Sequence, residues 1–127
     1  MERFECPGGW ATISRAGAAI LITMSGNCDA TVGRRVSAHL NSLLEQADGA
    51  VRTFWDLEAL LTYHSDVRVL CTQALLRNWA KVADLQTLAT NRVVKMGVAV
   101  AKVALWGRLH NTEDRKEFEA LLRDASR

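Results

Sequence analysis

Proline occurs once in the 127 residues and no Ser/Gly-rich or low-complexity stretch appears, so the sequence offers no linker and reads as one domain. The three cysteines, Cys6, Cys28 and Cys71, are widely scattered. Without a Cys-x-x-Cys pair, a structural zinc site has no ligand spacing to stand on, and Cys71 reads as a small hydrophobe on a helix. Neither charge dominates. The net charge is +2 and there is no lysine or arginine run, which removes the electrostatic footprint of a nucleic-acid binder. No apolar run reaches the ~18 residues of a membrane span. The segment Met1-Glu2-Arg3-Phe4-Glu5 has none of the apolar core of a signal peptide. These absences lead to the expectation of a cytoplasmic, reduced protein without cofactor or metal.

What is present is ordinary in amount, with 49% hydrophobic and 24% charged residues, but strongly patterned. Trp10–Arg15 alternates as a strand that stops at Gly17, and Ala18–Met24 is a continuous apolar strand before the turn Ser25-Gly26-Asn27. So short a link predicts an antiparallel hairpin. Asp29 or Thr31 caps a helix to about Ala47, with Val32, Val36, Leu40, Leu43 and Leu44 on one stripe. Val51–Leu57 is rich in β-branched and aromatic residues and reads as a buried strand. The polar turn Thr62–Asp66 then opens a helix over Ser65 to Val82. A strand at Leu85–Thr90, a helix from about Asn91 to Trp106, a short edge strand at Arg108–His110 and a helix Glu113–Asp124 capped by Thr112 complete the chain. The order β-β-α-β-α-β-α-β-α predicts a mixed α/β sheet, its later strands parallel with right-handed crossovers.

The junction after a central strand is where open α/β sheets place their working residues. Here it holds His64, Ser65 and Asp66, just beyond the strand that ends in Asp56-Leu57. A serine at a helix start has two roles. It accepts a hydrogen bond from the N–H of Val67 or Arg68 as a cap, or it carries a phosphate where the helix dipole favours one. His64 beside Asp66 would serve as a general base only in a cleft with a second polar group. Nothing in the sequence supplies that group, and the expectation is a protein that is not an enzyme.

The strand ending in Asp56-Leu57-Glu58, and the helix opening with His64-Ser65-Asp66, resemble the STAS domain, specifically its SpoIIAA-like branch of anti-sigma factor antagonists. In that family an Asp-Leu-Ser-like segment ends the third strand, and an Asp-Ser-Ser-Gly turn begins the next helix. The resemblance implies a STAS-like fold over the whole chain and a bacterial regulatory domain that binds a protein partner. It sets Ser65 at the phosphorylated switch position, with His64, Asp66 and Asp56 around it. Here histidine replaces the acid before the serine, Asp66 the second serine and Val67 the glycine.

The third helix is the other clue. Its Val93, Val94, Met96, Val98, Val100, Val103, Leu105 and Trp106 exceed the ~100° apolar stripe of a surface helix. Three readings follow: a homodimer face, burial under the C-terminal segment, or a carrier or sensor of a small apolar, lipid-like ligand. The last would hold its ligand between the second and third helices, against Leu75, Trp79, Val94, Val98 and Trp106.

Overall fold

The computed structural model covers residues 1–127. Seven strands form one sheet: β1 (Glu2–Cys6), β2 (Gly9–Ala16), β3 (Ala19–Cys28), β4 (Val51–Asp56), β5 (Leu60–Tyr63), β6 (Val82–Leu88) and β7 (Leu109–Thr112). The helices are α1 (Ala30–Gln46), α2 (Ser65–Arg77), α3 (Arg92–Ala104) and α4 (Arg115–Ala125). The spatial order is β1-β2-β3-β4-β6-β7, with β5 also paired to β3. β2 is antiparallel to both β1 and β3, and β3–β4, β4–β6 and β6–β7 are parallel. The expected hairpin is β2–β3. Gly17, at φ +58°, supplies the left-handed residue of its turn.

Strand alternation divides the core. Ile20, Ile22 and Met24 of β3, with Val51 and Trp55 of β4, meet Val36 and Leu40 of α1 and Cys71 and Leu75 of α2. Side chains of opposite parity face the other way: Ala19, Phe54 and Leu88 pack on Phe118 of α4. The rings of Phe54 and Phe118 meet edge to face, centroids 5.7 Å apart at 76°. α4 therefore covers the face opposite α1, α2 and α3, and the C-terminal segment does not bury α3.

The structure corrects several sequence expectations. Two strands are additional. β1 is strongly charged and pairs only with β2. Thr62-Tyr63, expected in a turn, belongs to β5. The expected turn Ser25–Asn27 lies inside β3, whose end provides the edge on which β5 pairs. Gly26 at φ +74° accommodates the register shift there. α2 stops at Arg77, well short of Val82. The Asn78 amide there donates to Asn41 Oδ1 at 2.7 Å and to Ala74 O at 2.9 Å, and a 3₁₀ turn over Trp79–Lys81 leads into β6. The cap of α4 is Asp114, which accepts from Lys116 N; Thr112 ends β7 instead.

Phe118 is fully buried and is the anchor of α4. Phe118→Ala is expected to lower unfolding free energy by about 3–5 kcal/mol in a urea titration. A loss below about 1 kcal/mol would mean that α4 is not packed as described.

Candidate functional site

α2 begins where β5 ends, and the strand fixes its start. His64 N donates to the last carbonyl of β3, Cys28 O, at 2.9 Å. The cap is His64, not Ser65: its Nδ1 accepts from Asp66 N at 3.1 Å. With Nδ1 accepting, the ring proton of neutral His64 sits on Nε2, and the Asp66 carboxylate 3.7 Å away is no ion-pair partner in that state. Asp66 N is the only hydrogen-bond partner of the His64 side chain. Ser65 is thus the first residue of α2, exposed, with its hydroxyl in no hydrogen bond. Alongside, Thr62 Oγ1 donates to Asn27 Oδ1 at 2.6 Å and ties β5 to β3.

Asp56 does not join this group. It ends β4 with the parity of Phe54, so its carboxylate points to the α4 face. There Arg115 Nη2 donates to both of its oxygens, at 2.9 and 3.0 Å. Arg115 also donates to Glu58 at 2.8 Å and Glu119 at 3.3 Å. The hydrogen bond to Glu58, then those to Asp56 and Glu119, hold the guanidinium more firmly protonated than usual. In the sequence Arg115 sits in the mixed-charge run Glu113-Asp114-Arg115-Lys116-Glu117, which singles out none of its members. Its partners, Asp56 and Glu58, lie more than fifty residues away, and no local pattern announces them.

Beyond Ser65, α2 and α3 diverge over the sheet and leave a cleft of about 80 Å³, with fourteen of its eighteen lining residues hydrophobic. From α2 come Arg68, Cys71, Thr72 and Leu75; from α3 come Val94, Gly97, Val98, Ala101 and, just past its end, Leu105. Each set repeats at steps of three and four, so one helix face looks inward from either side. Trp55, Leu85 and Thr87 belong to the floor, where the buried Thr87 hydroxyl donates to Asn111 Oδ1 at 2.7 Å. Burial pushes the Cys71 thiol up to about 12, and it stands there as an uncharged, unreactive wall. In a closed core, a void of this size would cost about 2 kcal/mol, at about 24 cal/mol per Å³.

Of the expected ligand-lining residues, Leu75, Val94 and Val98 face this cleft. Trp79 and Trp106 do not. They pack edge to face 5.5 Å apart beyond the end of α3, and the Arg108 guanidinium lies 4.1 Å over the Trp79 ring. The outer face of α3 carries Val93, Met96, Val100 and Val103, all exposed. Tyr63 was not among the expected lining residues. A Cβ on Gly97 would overlap the Tyr63 hydroxyl, so only glycine lets that ring close against α3. No group of three or more His, Cys, Asp or Glu side chains is placed to hold a metal ion. No helix is long and apolar enough to cross a membrane.

No protein-family profile matches this chain, and no curated protein matches it. Solved structures do. An uncharacterised DUF3478-family protein from Shewanella loihica with a SpoIIAA-like fold superposes with a TM-score of 0.65 at 14% identity, over 91% of this chain and 94% of that one. The unphosphorylated anti-sigma factor antagonist SpoIIAA gives 0.65 at 18% identity, over 90% of this chain and 96% of that one. The phosphorylated Bacillus SpoIIAA gives 0.60 at 16%, over 87% and 98%. The chain has the SpoIIAA-like fold, as its sequence resemblance implied.

His64 sets the start of α2, and the expected cost of His64→Ala is about 1 kcal/mol of unfolding free energy. His64→Asn, which keeps an acceptor at the cap, should recover most of it. Equal losses in both variants would contradict the capping role.

Proposed function

We propose that this protein is a non-enzymatic regulatory domain of the bacterial cytoplasm that binds another protein at the surface around the start of α2. Ser65 is the residue whose modification tunes that binding. One observation carries the reading. Because His64 supplies the cap, the Ser65 hydroxyl is exposed and uncommitted at the head of a helix. The likeness in fold to SpoIIAA, an anti-sigma factor antagonist known in phosphorylated and unphosphorylated forms, supports the same reading.

The chemistry of the turn indicates how the switch would work. A phosphate on Ser65 brings about 1.5–2 negative charges to a helix start, whose N–H groups favour them. Asp66 N, however, is already occupied by His64, and the Asp66 carboxylate sits in the same turn. The new charge is therefore directed outward, toward an incoming partner, more than inward to the helix. Asp56 takes no part, being held by Arg115 on the opposite face. A homodimer through α3 is not part of this reading. The stripe at 93, 96, 100 and 103 has the spacing of a two-helix seam, but α3 carries Arg92, Lys95 and Lys102 and no acid. Lys95 is paired with Glu113 at 3.2 Å, but a second copy offers no acid from α3 to meet Arg92 and Lys102.

The cleft between α2 and α3 supports a second reading, a carrier or sensor of a small apolar ligand. Its apolar walls stand partly open to solvent and are not closed by any other part of the chain.

The first reading is tested by comparing tagged Ser65→Ala and Ser65→Glu proteins purified from their source cell. The expected result is one defined partner that co-purifies with the alanine variant in stoichiometric amount. Its affinity for the glutamate variant should be at least about tenfold weaker, or 1.4 kcal/mol. Equal binding by both, or no partner with either, would reject the proposal.

A further inference from the structure

We propose that the outer face of α3 docks on an anionic lipid surface, lying flat with its valines, Met96 and Trp106 among the headgroups and its cations against the lipid charge. Of the nine large apolar side chains that the chain exposes, five are gathered here: Val93, Met96, Val100, Val103 and Trp106. The first four recur at steps of three and four, so they form one stripe on the side of α3 that faces away from buried Val94. Val103 is 80% exposed and Trp106 73%. α4 packs on the opposite face of the sheet, and no other segment covers the stripe. The proposal does not depend on the partner reading at Ser65.

Charge indicates what the stripe meets. Lys95 and Lys102, two helical turns apart, border one side of it, and Arg92 and Arg108 stand at its two ends. No acid occurs between Asp84 and Glu113. Lys95 is held by Glu113, and Arg108 by Val82 O and the Trp79 ring, which leaves Arg92 and Lys102 without a partner in the chain. An apolar stripe bordered by cations, with a tryptophan at its end, suits a membrane interface. The acyl boundary takes the apolar side chains, the indole sits at headgroup level, and the cations meet anionic heads. The thirteen residues of α3 run about 20 Å, too short for the ~30 Å hydrocarbon core, so the helix docks in the plane of the surface. A neutral bilayer would leave Arg92 and Lys102 unanswered.

The test is co-sedimentation of the full chain with extruded vesicles at low salt, where surface charges are least screened. One set is phosphatidylcholine alone, the other an equal mixture with phosphatidylglycerol. The expected result is saturable binding to the mixed vesicles, at least about tenfold tighter than to phosphatidylcholine. Met96→Gln combined with Val103→Gln removes apolar area and no charge, and should weaken that binding at least about tenfold. Lys102→Glu should weaken it by a similar factor, whereas Arg123→Glu, the same change of charge on α4, should alter it less than about twofold. Equal binding to the two vesicles, equal loss in Lys102→Glu and Arg123→Glu, no loss in the glutamine pair, or no vesicle binding at all overturns the proposal. So does a doubled mass in analytical ultracentrifugation that the glutamine pair returns to a single chain, since a second copy would then cover the face. Should the glutamine pair fail to fold, the comparison of Lys102→Glu with Arg123→Glu decides alone.

Discussion

β3 is paired along both edges for nearly all of its ten residues. β2 runs antiparallel on one side; on the other, β4 pairs with Ala19–Thr23 and β5 with Gly26–Cys28. Because β4 turns away after Asp56, the same edge of β3 serves two strands in succession. The carbonyl that closes it, Cys28 O, receives His64 N and so sets the first turn of α2. The position of Ser65 is therefore a consequence of how far β3 extends. A β3 that stopped at Met24 would leave β5 without a partner and α2 without a fixed start.

The sheet's two faces differ in how they are closed. On the α4 side, Phe54 and Phe118 fill the interior, while Arg115 gathers Asp56, Glu58 and Glu119 at the rim. On the other side α1 seals β2 and β3, but α3 has only Val94 fully buried and turns a row of valines and Met96 to solvent. α2 stands between, well packed toward α1 and loosely toward α3. A surface of this kind suits binding: its helix start is exact, and the groove beside it is unfilled.

Much of the fold was legible in the residues. The helix stripe 32-36-40-44 and the apolar runs of β3 and β4 are periodic enough to place four helices and the parallel core. What escaped was non-local. β5 is a strand only because β3 offers an edge, and four residues of Leu-Leu-Thr-Tyr read equally well as a loop. α2 ends at Arg77 because Asn78 finds Asn41 on another helix. The place of Ser65 at the opening of α2 was recognisable in the sequence, whereas the capping role of His64 depends on which way its ring turns. The excess hydrophobicity of α3 was plain in the sequence. That its inward face lines a cleft and its outward face meets water could be decided only by where α4 packs. The two tryptophans, expected with the ligand residues, associate with each other because Trp106 leaves the helix at φ +52°.

On the proposed reading, the surface around the start of α2 is where this protein meets its partner. Photo-cross-linking in the source cell addresses it directly, with a photoreactive amino acid placed at Ser65 and, as the control, at Arg123 on the exposed side of α4. A discrete heteromeric adduct is expected from position 65 and none from position 123. Adducts that are equal at the two positions, or confined to position 123, would contradict it.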